Sequence, residues 1–161
     1  MRLSGALLAF AVFVMSQPAF ALSCMAPDLA RDYAHAAQSD DTYILVRGQL
    51  YFDEAALPDR TDERTSRGRV SFDIEGWLAG HSLTDEGFSK PFERDVILRV
   101  SCLGPWCGGT AKGEHLAFLR QEDRQWVMEL NPCPGMTYAH PSAEQEATAL
   151  ACFRGEDCQV E

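Results

Sequence analysis

Six cysteines carry most of the chemistry this sequence could do: Cys24, Cys102, Cys107, Cys133, Cys152 and Cys158. Cysteines pair as disulfides, ligate metal as thiolates, or act as redox nucleophiles. The C-x4-C spacing of Cys102 and Cys107 and the C-x5-C spacing of Cys152 and Cys158 are not those of a zinc knuckle or ribbon. Redox catalysis by Cys102-Leu103-Gly104-Pro105-Trp106-Cys107 would call for C-x-x-C at a helix start, and here the spacing is wider, with Gly108 following instead of a helix. His35, His81, His115 and His140 are scattered without an H-x3-H pair, so no metal set and no cofactor is expected. There is no G-x-S-x-G, H-E-x-x-H or S-x-x-K, and Gly108-Gly109-Thr110-Ala111-Lys112-Gly113 lacks the G-K-[ST] end of a phosphate loop. No residue is expected to be catalytic. Acidic residues are numerous enough, 24 against 14 basic, that two neighbouring carboxylates would carry no meaning by themselves.

The compartment decides between the thiol chemistries. Met1-Arg2 is a short positive start, Leu3 to Met15 an almost unbroken apolar run, and Ser16-Gln17-Pro18 breaks it ahead of Ala19-Phe20-Ala21. That pattern marks residues 1–21 as a secretory signal peptide, with an apolar run too short for the ~20 residues that span a bilayer. Cleavage after Ala21 leaves Leu22 first, whereas cleavage after Ser23 leaves Cys24 first. Lipid attachment at Cys24 is the lesser alternative, because it wants Leu three residues before the cysteine where this chain has Ala21. The expected location is periplasmic or secreted, with no stable membrane span once the signal is removed. All six cysteines fall after the signal, where an even set in an oxidising compartment means disulfides. Cys152 and Cys158 enclose a short glycine-containing loop and could close locally.

One domain, residues 22–161, must position these cysteines. A chain of 161 residues is too short for a TIM barrel or a two-half dinucleotide fold. At 46% apolar and 10% aromatic it is too rich for a disordered chain, and a net charge of -10 argues against a nucleic-acid partner, which needs a Lys/Arg patch. Leu29 to Gln38 is a short helix capped by Asp28. Thr42 to Phe52 is a strand with a bulge or kink at Gly48. Asp53 to Ser66 is an exposed loop. In Arg69 to Leu78 and in Arg94 to Cys102 apolar residues alternate (Val70, Phe72, Ile74; Val96, Leu98, Val100), giving two more strands with one buried face each. Ala79 to Phe92 separates them as a polar connection. Glu114 to Arg120 and Gln125 to Leu130 form a hairpin around Gln121-Glu122-Asp123-Arg124. Ser142 and Gln145 make a capping box for a last helix that Gly155 ends. The expected fold is mainly β with two flanking helices: a small, five-stranded antiparallel barrel stapled by disulfides.

A cysteine just after the signal, a short helix, a first strand reading Tyr43-Ile44-Leu45-Val46-Arg47-Gly48, a strand closing on Val100-Ser101-Cys102 before Trp106-Cys107-Gly108, a hairpin, Cys133 and a cysteine-bearing last helix follow one another in this chain. In this order it resembles the netrin-like module, the OB-fold of the tissue inhibitors of metalloproteinases, in an exported, bacterial form. The resemblance spans nearly all of the mature chain. It implies that Cys24 pairs toward the Cys102/Cys107 end, leaving Cys133 for the other member. It also implies that a mature N-terminal Cys24 would chelate a protease zinc through its amine and carbonyl, with Met25 entering the specificity pocket. The chain departs from the inhibitors in having Cys24-Met25-Ala26 where they have Cys-x-Cys, and a start at Leu22 would abolish the chelate.

The leading functional expectation is an exported, non-catalytic binding or interaction module whose partner, a protein or another cell-envelope component, the sequence does not identify. Its contacts would lie on the loops Asp53 to Ser66, Ala79 to Phe92 and Leu103 to Gly113. Cys24, Met25 and Trp106 are the candidate contact residues. Trp77 and Trp106 each stand in or beside a glycine-containing turn that could present an indole as an anchor, against the ordinary expectation that these two and Trp126 cap the barrel as core residues. The alternatives are a metalloprotease inhibitor acting through Cys24, and a small hydrolase or redox enzyme with an unrecognised site.

Overall fold

The computed structural model describes residues 23–59, 65 and 68–158. The signal segment, residues 1–21, and residues 60–64 and 66 of the first loop lie outside them.

Helix α1, Leu29–Gln38, begins where the Asp28 carboxylate accepts the Arg31 N–H at 2.9 Å. Helix α2, Ala143–Arg154, carries the expected capping box of Ser142 and Gln145 and stops at Gly155, whose φ of 68° is the left-handed conformation a glycine C-cap adopts without penalty. Between them run seven strands: β1 Tyr43–Phe52, β2 Arg69–Thr84, β3 Gly87–Leu103, β4 Trp106–Cys107, β5 Gly113–Glu122, β6 Gln125–Leu130 and β7 Thr137–Ala139. Five of them pair in a ring, β1-β2-β3-β6-β5 and back to β1, with β4 added to β3 and β7 to β5. The sequence suggested five strands because β4 and β7, at two and three residues, are too short to show a period. All the pairings are antiparallel except β3 with β6, which is parallel from Val96 opposite Trp126 to Val100 opposite Leu130.

The polar connection expected at Ala79 to Phe92 is the far half of a long hairpin. β2 and β3 stay paired to Thr84 opposite Gly87, and only Asp85 and Glu86 form the turn. Its glycine and proline have positional reasons. Gly80 lies opposite Gly48 of β1, and a Cβ on either would strike the other strand's backbone, so the two strands approach closely here. No register shift occurs at Gly48; the irregularity is at Ser82/Leu83. Pro91 stands opposite His81, in a stretch where β3 has β2 on one side and no strand on the other.

Inside the ring the inward faces of all five strands meet around Leu50, Leu78, Leu98, Val100, Leu119 and Met128, each fully buried. A second cluster, including Leu45, Leu116, Phe118 and Tyr138, lies outside the ring beneath the helices, with Leu29 of α1 and Ala149 of α2. β5 is therefore covered on both faces, and Leu116 to Leu119 read as a continuous apolar run. The first loop also differs from expectation: Thr65 is buried and Leu57 packs on the inner core.

Three disulfides staple this frame: Cys24–Cys133, Cys102–Cys107 and Cys152–Cys158. The local Cys152–Cys158 closure is as expected. The pairing implied by the resemblance is corrected, because Cys102 and Cys107 face each other across the β3–β4 hairpin and take one another, leaving Cys24 to Cys133.

Candidate functional site

Hairpin geometry builds the turn between Leu103 and Trp106 from its backbone outward. Leu103 pairs with Trp106, and Cys102 with Cys107 directly behind them. Gly104 supplies a φ of 59°, and Pro105 then fixes a negative φ, the combination a II′ corner demands. Two backbone bonds hold the hairpin down: Gly104 N–H to Gly68 O at 3.0 Å, and Gly108 N–H to Ser101 O at 2.8 Å. A Cβ on Gly108 would clash with the Leu130 and Asn131 backbone, so the chain leaves the hairpin packed against the end of β6. Out of this rigid base project Leu103, 40% exposed, and Trp106, 38% exposed. Trp106 is thus neither a core cap nor a loosely held loop residue.

The other candidate contact residues are brought to the neighbouring segment. Cys24 is bonded to Cys133, flanked by Pro132 and Pro134, and those two prolines line the same shallow hollow of about 270 Å³ as Cys107. Met25, beside Cys24, is 72% exposed. Trp77 is corrected in position: it lies in mid-strand β2, directly opposite Tyr51 of β1, and both rings face solvent. Trp126 is half-buried against the inner core, edge-on to Phe92 with ring centres 6.3 Å apart.

Two buried polar clusters escaped the sequence reading. The His115 ring is buried, with Nδ1 2.9 Å from Gly113 O and Nε2 2.7 Å from the Thr110 hydroxyl. A carbonyl only accepts, which assigns the proton to Nδ1 and makes Nε2 the acceptor of the Thr110 hydroxyl. Burial pushes the imidazole pKa down, with His140 adding to this and the Gly113 carbonyl opposing it. A hydroxyl against a neutral imidazole is the beginning of a nucleophile–base pair. Here the ring is oriented by a carbonyl and sealed in the core, and the arrangement ties the Gly108–Gly113 loop to β5. The Asp32 carboxylate of α1 accepts from the Tyr138 hydroxyl at 2.5 Å and from the Met136 N–H at 2.9 Å. Burial and then the Asp32 carboxylate raise the Tyr138 pKa. His115 sits between Glu114 and the apolar run Leu116 to Leu119, and that placement was the one sequence sign of a core histidine.

On the opposite flank Arg99 forks onto Asp73 (2.8 Å) and Glu122 (2.8 Å), while Arg120 reaches Glu122 (2.8 Å) and Glu129 (3.1 Å). These pairs lace β2, β3, β5 and β6 together and hold the Asp73 carboxyl below its ordinary range, chiefly through the hydrogen bond from Arg99. A groove of about 430 Å³ opens between α1, the start of β1 and the β2–β3 turn, with Phe118 and Phe153 among its walls. Asp85, also in its wall, accepts from the Arg154 guanidinium through its carbonyl oxygen at 2.9 and 2.5 Å. Among the described residues no group of three or more His, Cys, Asp or Glu side chains is placed to hold a metal ion, and no helix is long and apolar enough to cross a membrane.

The chain matches no protein-family model, and neither the curated proteins nor the solved structures yield a match to it.

Proposed function

We propose that the protein is an exported, non-catalytic binding module built on an OB-like barrel, and that it meets its partner through the disulfide-locked hairpin Leu103–Trp106. The barrel reading is supported by the ring closure of β1 on β5 and by the single parallel pairing of β3 with β6. The site reading is carried by one observation: a large indole and a leucine stand exposed side by side on a turn that a disulfide fixes directly behind them. Exposing apolar side chains costs solubility, and presenting them already ordered lowers the entropy lost on binding. An aromatic anchor on a rigid base is the form that binding hot spots take.

Photo-crosslinking tests it. With a benzoyl-phenylalanine at position 106 in the producing cell, one discrete adduct is expected, and it is absent when the same group replaces Phe153, which is equally exposed at 39%. Adducts of equal yield and identity at both positions would sink the assignment.

A second reading, inhibition of a metalloprotease through an N-terminal Cys24, is favoured by the fixing of Cys24 to Cys133 beside a highly exposed Met25. Intact mass of the secreted protein decides it: a chain beginning at Leu22 ends this reading and leaves the first untouched.

A further inference from the structure

A different face of the ring carries two more exposed aromatic side chains. Tyr51 of β1, Trp77 of β2 and Asp95 of β3 stand in one row across three strands, opposite one another in register. Directly paired side chains lie about 5 Å apart at Cβ and point to the same side of the sheet. Tyr51 is 53% exposed and Trp77 40%. Neither ring is in contact with another ring; the aromatic pairs in the described residues are Tyr33–Phe118 and Phe92–Trp126. Their faces are turned to water on a sheet that is rigid beneath them, because Leu50, Leu78 and Val96, the alternate neighbours on the same strands, are locked in the core.

The polar surround of the two rings is unusual for its lack of internal partners. Gln49 and Glu93 lie in the adjoining row on one side, Glu75 in that on the other, and Arg124 and Gln125 border the shallow hollow beside Trp77. None of these, nor Asp95, forms a side-chain hydrogen bond or ion pair with another described residue, in contrast to the laced charges of Arg99 and Arg120. Carboxylates, a guanidinium group and amides together offer both donors and acceptors. A nucleic-acid strand would be repelled by Glu75, Glu93 and Asp95. The complement of flat aromatic faces ringed by mixed, unpaired polar groups is a neutral ligand that is apolar on its faces and hydroxylated at its edge.

We propose that the Tyr51–Trp77 face binds a neutral, β-linked oligosaccharide chain. Equatorially substituted pyranose rings present C–H groups on both faces, which lie on the indole and phenol. Their edge hydroxyls donate to Asp95 and Glu93 and accept from Arg124 and Gln125. A flat, extended chain follows the cross-strand row of Tyr51 and Trp77. This face is separate from the Leu103–Trp106 hairpin, so either assignment stands or falls without the other.

The test titrates the secreted, full-length protein, isotope-labelled, with β-1,4-linked glucose and N-acetylglucosamine hexamers while amide shifts are recorded. Saturable shifts confined to Gln49–Tyr51, Glu75–Ala79 and Glu93–Ile97 are expected with at least one hexamer. Trp77→Ala weakens binding by about tenfold or more, Trp77→Phe keeps most of it, and Trp106→Ala leaves it unchanged. Asp95→Asn, which leaves the stacking intact, weakens it several-fold. The unbound spectrum of each variant reports whether the fold is retained. Failure of both hexamers to shift these amides at millimolar concentration overturns the proposal. So does binding that Trp77→Ala and Asp95→Asn leave intact, or saturable binding of an octa-lysine peptide at these amides in place of either sugar.

Discussion

Removing the disulfides one at a time measures how much of the stability resides in chain entropy. Cys24 and Cys133 are separated by 109 residues, Cys102 and Cys107 by 5. Cross-linking restricts the unfolded chain in proportion to the logarithm of the loop it closes. The loop-closure relation gives about 4.8 kcal/mol for the long bridge and about 2 kcal/mol for the short one. For a domain of this size those losses lower Tm by about 17 °C and about 7 °C. Packing works against this order, since Cys102 is 1% exposed and its replacement by Ala leaves a void in the core, whereas Cys24 is only half-buried. Calorimetry of Cys24→Ala/Cys133→Ala beside Cys102→Ala/Cys107→Ala is the assay, at equal scan rate and with reversibility checked. If the Cys24/Cys133 double variant melts no lower than the other, loop entropy is not what the long bridge contributes, and the reasoning fails.

Other perturbations follow from the same contacts. Gly80→Ala places a methyl group against the Arg47 carbonyl and is expected to cost about 3 kcal/mol or more by denaturant titration; Gly109→Ala, with open space around it, is the near-neutral control. Asp32→Ala strands both the Met136 N–H and the Tyr138 hydroxyl and should cost about 2 to 3 kcal/mol in the same assay, with Tyr138→Phe costing less because the Met136 bond survives. Burial keeps the folded pKa of His115 below the unfolded value of about 6.5, so its contribution is complete above that pH and is lost as pH falls from there toward the folded value. Asp73, depressed by Arg99, adds a further loss only below the ordinary carboxylate range of about 3.9. Melting curves from pH 8 to 3 should show both steps, and His115→Gln should remove the upper one.

Local signals were legible wherever a residue's role depends on its near neighbours. Asp28, the Ser142–Gln145 box and Gly155 set helix ends through bonds to residues within four positions, and the alternation of Val96, Leu98 and Val100 reported a single buried face. Misreadings came from partners distant in the chain. Gly80 reads as a turn residue until Gly48 is seen crossing it, and Leu83 and Phe88 look stranded in a polar segment until α1, α2 and Phe118 cover them. Trp77 reads as standing beside a glycine-containing turn as long as Ala79 to Phe92 reads as a connection, yet β2 runs on past it, and Gly76 before it is small to admit the Leu98 side chain. The partner of Cys24 was beyond sequence, since hairpin geometry alone brings Cys107 to Cys102. Trp106 was singled out by type and surroundings, whereas its alignment with Leu103 needed the two-residue turn. Tyr51 went unremarked because a strand's solvent face carries no periodic mark of its own.

The closing of β1 upon β5 leaves little backbone open to another chain. Unpaired strand edges are templates on which copies of a protein add to one another and aggregate. Among the described residues the open edges include the two residues of β4, the three of β7, and the outer side of β3 from Gly87 to Asp95. The longest is obstructed by its own side chains, Lys90, Pro91, Glu93, Arg94 and Asp95. A neighbouring strand docking there would meet a missing N–H at Pro91 and a crowd of charged side chains. Crowded in solution, this chain resists polymerising through its sheet, and its encounters are left to side chains.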